Sequence, residues 1–247
     1  MGTATKIRAE VIVCVPTYNE IAIIEESLKR ISHELSRLPC SWHIVVCDNG
    51  STDGTGKKVV GCAFPNVTLF TVGEKGKGAA ILAGASFARS NSADLFCFID
   101  ADISPHPRHI VEFYDLLKRD YADVVIGSRF IDSSQVRWNV FRTATSRIFN
   151  WIRGIFLTIP VRDTQCGLKI FNQKALDTLE ICREKTWFID MEFLAYASAG
   201  DLRILEKPIE WNEHLFPGRH SKLSVTRDGI LACIAMCRIR YRMMRNS

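Results

Sequence analysis

Short apolar runs bounded by turn-forming residues recur through the first half of the chain: Val11 to Pro16, His43 to Cys47, Val67 to Val72, Leu95 to Ile99 and Asp123 to Ile126. Their length and their flanks predict buried strands. Between the first two, Ile21, Ile24, Leu28, Ile31 and Leu35 recur at helical spacing within Glu20 to Leu38, which predicts an amphipathic helix. Alanine-rich Lys77 to Arg89 and the segment Pro107 to Leu117 predict two more. Strands and helices alternating in this way argue for an α/β fold, a mostly parallel sheet flanked by helices on both faces. No internal repeat, low-complexity tract or linker interrupts residues 1–247, so a single domain is expected.

Composition narrows the class. With 47% hydrophobic and 24% charged residues the chain is neither disordered nor fibrous. The net charge of +5 suits an anionic ligand or a membrane surface but falls short of a nucleic-acid footprint. Nine cysteines, odd in number, mostly inside apolar runs and never in a CxxC pair, read as reduced core thiols of a cytoplasmic protein. No stretch reaches the roughly 18 consecutive apolar residues of a spanning helix. The opening MGTATKIRAE lacks the apolar region of a secretory signal.

In a parallel sheet ligands bind beyond the carboxyl ends of the strands. The predicted strands end in Pro16-Thr17-Tyr18-Asn19-Glu20, in Asp48-Asn49-Gly50-Ser51-Thr52-Asp53-Gly54-Thr55 and in Asp100-Ala101-Asp102, three polar clusters on one edge. Asp100 and Asp102, two like charges one residue apart, want a cation; a hard divalent ion such as Mg²⁺ or Mn²⁺ bridging a diphosphate would satisfy them, as a simple turn or helix cap would at lower cost. Asp48 suits hydrogen bonds from a nucleobase or ribose, or plain turn chemistry. Lys75-Gly76-Lys77-Gly78 sets two cations on a loop before a helix, which suits phosphate although the Walker spacing is missing.

In this order, and with Gly127-Ser128-Arg129 and Arg162-Asp163-Thr164-Gln165-Cys166-Gly167 downstream, these motifs resemble those of the inverting, GT-A fold glycosyltransferases of family 2, and within it the dolichyl- or polyprenyl-phosphate hexose synthases. The resemblance runs from about Val11 to Leu223 and implies a Rossmann-like GT-A core at about 11–223, followed by a basic amphipathic segment at about 224–247. It implies a nucleotide-sugar donor, UDP-glucose or GDP-mannose. Pro16, Tyr18, Glu20 and Asp48 would line the nucleoside pocket, Asp100 and Asp102 would hold the metal, and Lys77 and Arg129 would face the donor phosphates. Arg142, Ser146, Arg219 and Lys222 would take the acceptor phosphate. The segment DTQCGLKIF looks like the glucosyltransferase branch and DADIS like the mannose synthases. Ser104 stands where many relatives carry Gln, and Asn49 where many carry a second Asp.

The chemistry agrees with that resemblance. Cations stabilise charge building on a departing diphosphate, and a lipid phosphate acceptor is already anionic and needs positioning more than a base. A hydroxyl acceptor would need a carboxylate base, for which Asp190 or Glu192 is the obvious supply; Asp190 reads equally as a first-turn helix acid. The rival functions are therefore a transferase acting on a hydroxyl of a glycan or glycolipid, a nucleotidyltransferase releasing pyrophosphate, and a non-catalytic nucleotide-sugar-binding subunit. Residues 137–161 mix Trp138, Phe141, Phe149, Trp151 and Phe156 with Arg137, Arg142, Arg147 and Arg153, and Gly229 to Arg245 ends an apolar run in arginines. Both suit a peripheral contact with the cytoplasmic face of a membrane. A small membrane anchor subunit is a further implied partner.

Overall fold

The computed structural model describes residues 7–137, 153–154, 156–213, 215–216 and 225–246. The apolar runs become β1 (Val11–Thr17), β2 (Trp42–Asp48), β3 (Val67–Thr71), β4 (Leu95–Ile99) and β5 (Val124–Ser128), with α1 (Ile24–Leu35), α2 (Thr55–Gly61), α3 (Lys77–Ser90) and α4 (Arg108–Lys118) between them. There follow β6 (Gln135–Arg137), β7 (Leu168–Asn172), α5 (Gln173–Glu180), α6 (Ile189–Ala199), β8 (Ile204–Pro208), β9 (Glu210–Asn212) and α7 (Val225–Asn246).

Seven strands form one sheet in the order β3-β2-β1-β4-β7-β5-β8, while β6 and β9 pair in a small second sheet. The α/β expectation holds, with one departure: β7 runs antiparallel to both β4 and β5, and the other neighbours are parallel. The apolar pattern does not predict β7, because a lysine interrupts its short run LKIFN. Its direction matters for function. The segment before β7 arrives at the same sheet edge at which the parallel strands end.

Side chains alternate across the sheet with period two. Ile12 and Cys14 of β1 join Phe96, Phe98 and Phe171 under α3, α5, α6 and α7. Val11, Val13 and Val15 face the other way, against Ile24, Leu28 and Ile31 of α1 and Ile110 and Phe113 of α4. Helix α1 begins at Ile24, later than the periodicity predicts, because Glu20 is tied down first: its amide donates to Thr55 Oγ1 and its carbonyl accepts from Ile23 and Ile24. Ile21, read as part of the apolar stripe, is left exposed on the loop. The outer face of α1 carries exposed Glu25–Lys29 and Glu26–Arg30 pairs at the four-residue spacing that brings side chains together on a helix.

All nine cysteines are free thiols. Five are buried, and burial pushes Cys166 up to about 12, which keeps it protonated and unreactive. Cys237 departs from the core expectation and is exposed on α7. Among the described residues no helix is long and apolar enough to cross a membrane. Of the four C-terminal arginines expected to face lipid, two meet buried carboxylates: Arg238, itself half exposed, pairs with Glu184 at 3.0 Å, and Arg242 with Glu192 at 2.7 Å.

Candidate active site

The carboxyl ends of β1, β2, β4 and β5 and the amino end of β7 share one edge, which brings Asp48, Asp100, Arg129 and residues 163–167 together. The first two loops are laced to each other. Asn19, in the left-handed region at φ 52°, accepts from the Thr52 amide through Oδ1 and donates from its own amide to Ser51 Oγ. Asp53 accepts from the Ile21 amide and from the amide and hydroxyl of Thr55, just ahead of α2, whose N-cap is Gly54. Asp48 is buried at the end of β2 and its Oδ1 accepts from the Ser51 amide and hydroxyl. Pro16 is half-buried at the end of β1, Glu20 is buried and Tyr18 is exposed at the rim.

Asn49 explains its own departure from the family pattern. Its Oδ1 accepts from the Gly76 amide while its Nδ2 donates to the Glu74 carbonyl, both at 2.5 Å, so it clamps the Lys75-Gly76-Lys77-Gly78 loop from two sides. An aspartate could accept but not donate. The amides of Gly78 and Ala79, which a phosphate would seek at this helix start, donate instead to the carbonyls of Thr186 and Lys185. The fit leaves no room for larger residues: a Cβ on Gly76, at φ 120°, would lie 2.0 Å from the Lys185 carbonyl oxygen.

Lys77 leaves this loop for the end of β4, where its Nζ lies 2.6 Å from Asp100 Oδ1 with the lysine side chain 9% exposed. Burial works against its charge, yet the Asp100, Asp190 and Asp102 carboxylates outweigh burial and raise its pKa. Burial and the charges of Asp102 and Asp190 push Asp100 up against the pull of Lys77. The Asp100 amide donates to the Gly167 carbonyl, and a Cβ on Gly167 would lie 2.1 Å from Asp100 Oδ2. Only glycine lets β7 pass so close. Asp102 is half-buried, and its Oδ1 accepts from the Ser104 amide. Asp100 and Asp102 offer oxygen alone, the donor set of a hard cation, and such an ion takes water and phosphate oxygens beside one or two carboxylates. The residues fit Mg²⁺ or Mn²⁺, although no group of three or more His, Cys, Asp or Glu gathers among the described residues.

Arg129 follows β5, and its guanidinium grips buried Asp163 with two hydrogen bonds of 2.7 and 2.8 Å, while its amide gives Asp163 a third. The same guanidinium lies 4.6 Å over the Trp211 ring. Burial, the largest single effect, would raise the Asp163 pKa; the charge and hydrogen bonds of Arg129, with the charge of Lys169, together outweigh it and hold the carboxyl below the ordinary aspartate range. The role implied by resemblance was toward donor phosphates, but the fork is here committed to the loop that carries Gly167.

Beneath Asp100 lies a second pair. Asp190, in the first turn of α6, is 2.5 Å from Nζ of Lys169 on β7, and Lys169 also donates to the Cys166 carbonyl. Lys77 and Lys169 both lie over the Phe98 ring, at 5.7 and 5.2 Å. Periodicity misses Lys169, since a lysine inside an apolar run gives no signal of the carboxylate it meets. Trp187, half exposed beside Lys77, is likewise found only in three dimensions. Arg142, Ser146, Arg219 and Lys222 lie outside the described residues.

Comparisons with known proteins bear on the family and the fold. A family model described as Glycosyl transferase family 2 matches residues 12–180. Glycosyltransferase AglD of Haloferax volcanii is 28% identical over 92% of this chain and 36% of its own length. Dolichyl-phosphate beta-glucosyltransferases ALG5C and ALG5D of Trichomonas vaginalis are 30% and 31% identical over 81% of the chain. The chain spans under two thirds of the length of these relatives: 63% and 64% of the two Trichomonas proteins. Among solved structures, glucosyl-3-phosphoglycerate synthase of Mycobacterium tuberculosis in complex with Mn²⁺, UDP and glucosyl-3-phosphoglycerate shares the fold at a TM-score of 0.68 and 18% identity, covering 94% of this chain and 80% of the other.

Proposed function

The chain belongs to glycosyl transferase family 2, and on that premise we propose that it transfers glucose from UDP-glucose to the phosphate of dolichol or another polyprenol, with inversion and with Mg²⁺ or Mn²⁺. The relatives named dolichyl-phosphate beta-glucosyltransferase support the sugar and the acceptor. Complexes of the structural neighbour with UDP and with UDP-glucose favour that donor over GDP-mannose.

The observation that carries this reading is the state of Asp190. A hydroxyl acceptor needs a base within reach. The carboxylate best placed by sequence for that task is 2% exposed and held by Lys169, which leaves it no face open to an incoming hydroxyl. A lipid phosphate arrives ionised. Its oxygen forms the new bond to the anomeric carbon as the bond to the diphosphate breaks, and the nucleoside diphosphate leaves with the electron pair.

The residues divide the work. Pro16, Tyr18, Glu20 and Asp48 bind the nucleoside. Asp100 and Asp102 hold the divalent ion, which when bound stabilises charge on the departing diphosphate. Lys77 holds Asp100 in place, and Arg129 acts through Asp163 to seat the loop that presses Gly167 onto Asp100. Arg142, Ser146, Arg219 and Lys222 bind the acceptor phosphate, as the resemblance implies. Since the acceptor's hydrocarbon stays in the bilayer, the chain works at the cytoplasmic face of a membrane, held peripherally or by a small anchor subunit.

The test is incubation with a panel of nucleotide sugars and polyprenyl phosphate, with and without Mn²⁺, and identification of products by mass. Hexosyl phosphate on the lipid with release of nucleoside diphosphate is expected. Sugar on a hydroxyl acceptor with lipid phosphate unused overturns the reading in favour of the hydroxyl-acceptor rival, and release of pyrophosphate identifies a nucleotidyltransferase.

A further inference from the structure

Helix α7 has two faces of different kinds. Inward, Ala232, Ala235, Met236 and Ile239 pack on the core, and Arg238 and Arg242 reach buried Glu184 and Glu192. Outward, Ile230, Leu231, Ile234, Tyr241 and Met244 are 66%, 42%, 49%, 56% and 63% exposed. Scattered apolar residues on a surface need no explanation. Here five of the twelve large exposed hydrophobic side chains of the described residues lie along one helix face, at positions separated by three, four or seven residues apart from the adjacent pair Ile230 and Leu231. At 1.5 Å per residue the stripe from Ile230 to Met244 is about 21 Å long.

Charge selects its occupant. Residues 229–246 contain no Asp or Glu. Arg242 is largely covered on Glu192, Arg238 pairs with Glu184 while its side chain stays 49% exposed, and exposed Arg240 and Arg245 stand at the end of the stripe, Arg245 5.8 Å from the Tyr241 ring. Arg240 also donates to the Phe156 carbonyl, which joins α7 to the far end of the arginine- and aromatic-rich segment 137–161. An apolar face edged by cations and free of acids matches an anionic bilayer, whose phosphates take the arginines while its acyl boundary takes the side chains.

We propose that the outer face of α7 is a membrane-docking surface that lies flat on anionic lipid, with Ile230, Ile234, Tyr241 and Met244 inserted at the headgroup boundary. The purpose of such docking rests on the proposed lipid-phosphate acceptor; the surface itself does not.

The test is co-sedimentation of the full chain with vesicles of phosphatidylcholine, alone or with about a third phosphatidylserine. The wild type should bind the anionic vesicles, less at high salt. An Ile230→Glu, Ile234→Glu, Met244→Glu variant should partition at least about tenfold more weakly, yet keep wild-type turnover on a short-chain polyprenyl phosphate in free solution. Equal binding by wild type and folded variant overturns the proposal. So does a wild type that ignores both vesicles, which leaves the face to a protein partner. If the glutamates prevent folding, Ile234→Ser with Tyr241→Ser gives the same reading. Failure of the short-chain assay in the wild type strikes the proposed function and leaves the vesicle result standing.

Discussion

The Nζ of Lys169 lies 2.5 Å from Oδ1 of Asp190, and neither side chain exposes more than 1% of its surface. This pair joins β7 to α6 directly below the carboxylates at the sheet edge. Removing one partner leaves the other charge buried and alone, a loss of about 3–5 kcal/mol. Lys169→Met and Asp190→Asn are therefore each expected to lower the urea midpoint strongly, and the double variant to lose much less than the sum. A general base would behave differently: Asp190→Asn would abolish turnover at wild-type stability.

Asp102→Asn is expected to abolish turnover while leaving the fold intact, because an amide lacks the charge that offsets a divalent ion and a diphosphate. Chelation of the wild type should do the same, with recovery on adding Mg²⁺ or Mn²⁺. Calorimetric titration of Mn²⁺ with UDP reads the loss directly; near-normal turnover in a folded variant removes Asp102 from the site.

Gly167→Ala tests the close passage of β7. The added methyl would stand 2.1 Å from Asp100 Oδ2, so the carboxylate or the strand must move. An ångström-scale displacement at a reacting centre costs about a hundredfold in rate. The expected result is a large fall in kcat with a smaller change in thermal midpoint.

Asn49→Asp, the residue that the family resemblance implies at this position, is expected to weaken this protein. The Glu74 carbonyl loses its donor and two acceptors face each other. The loop that delivers Lys77 should loosen, seen as a raised KM for the donor and faster amide exchange at residues 74–78.

Acid should unfold the chain through its buried carboxylates. Asp123 is held below the ordinary aspartate range mainly by the hydrogen bond from Arg203, against burial. At Asp163 burial is the largest single effect and raises the pKa, but the Arg129 charge and hydrogen bonds together with the Lys169 charge exceed it and hold the carboxyl down. A carboxyl whose pKa is depressed on folding takes up protons more readily in the unfolded chain. Its stabilisation is complete above about pH 4 and fades as pH falls toward the folded value. The urea midpoint is expected to drop steeply below about pH 4. Asp123→Asn should be weaker at neutral pH and show a flatter acid limb.

The sequence by itself determined the strands that pack on both faces, the helix periodicities between them, and the edge on which Asp48, Asp100 and Asp102 gather. These follow from local rules, since an apolar run followed by turn formers states both where a strand ends and which residues stand at its end. Tertiary structure decided the partners. Lys77 meets Asp100, Arg129 meets Asp163 and Lys169 meets Asp190 across 23, 34 and 21 positions of sequence. The last two meetings depend on β7 entering between β4 and β5 against their direction, which no local period encodes, and the first on the start of α3 lying at the end of β4. The same return seats Gly167 on Asp100. It turned Arg129 from a residue expected at the phosphates into the anchor of Asp163, and Asp190 from a candidate base into half of a buried ion pair. On α7 the apolar and basic residues were plain in the sequence, but only packing decided which arginines meet buried carboxylates and which face is left outside.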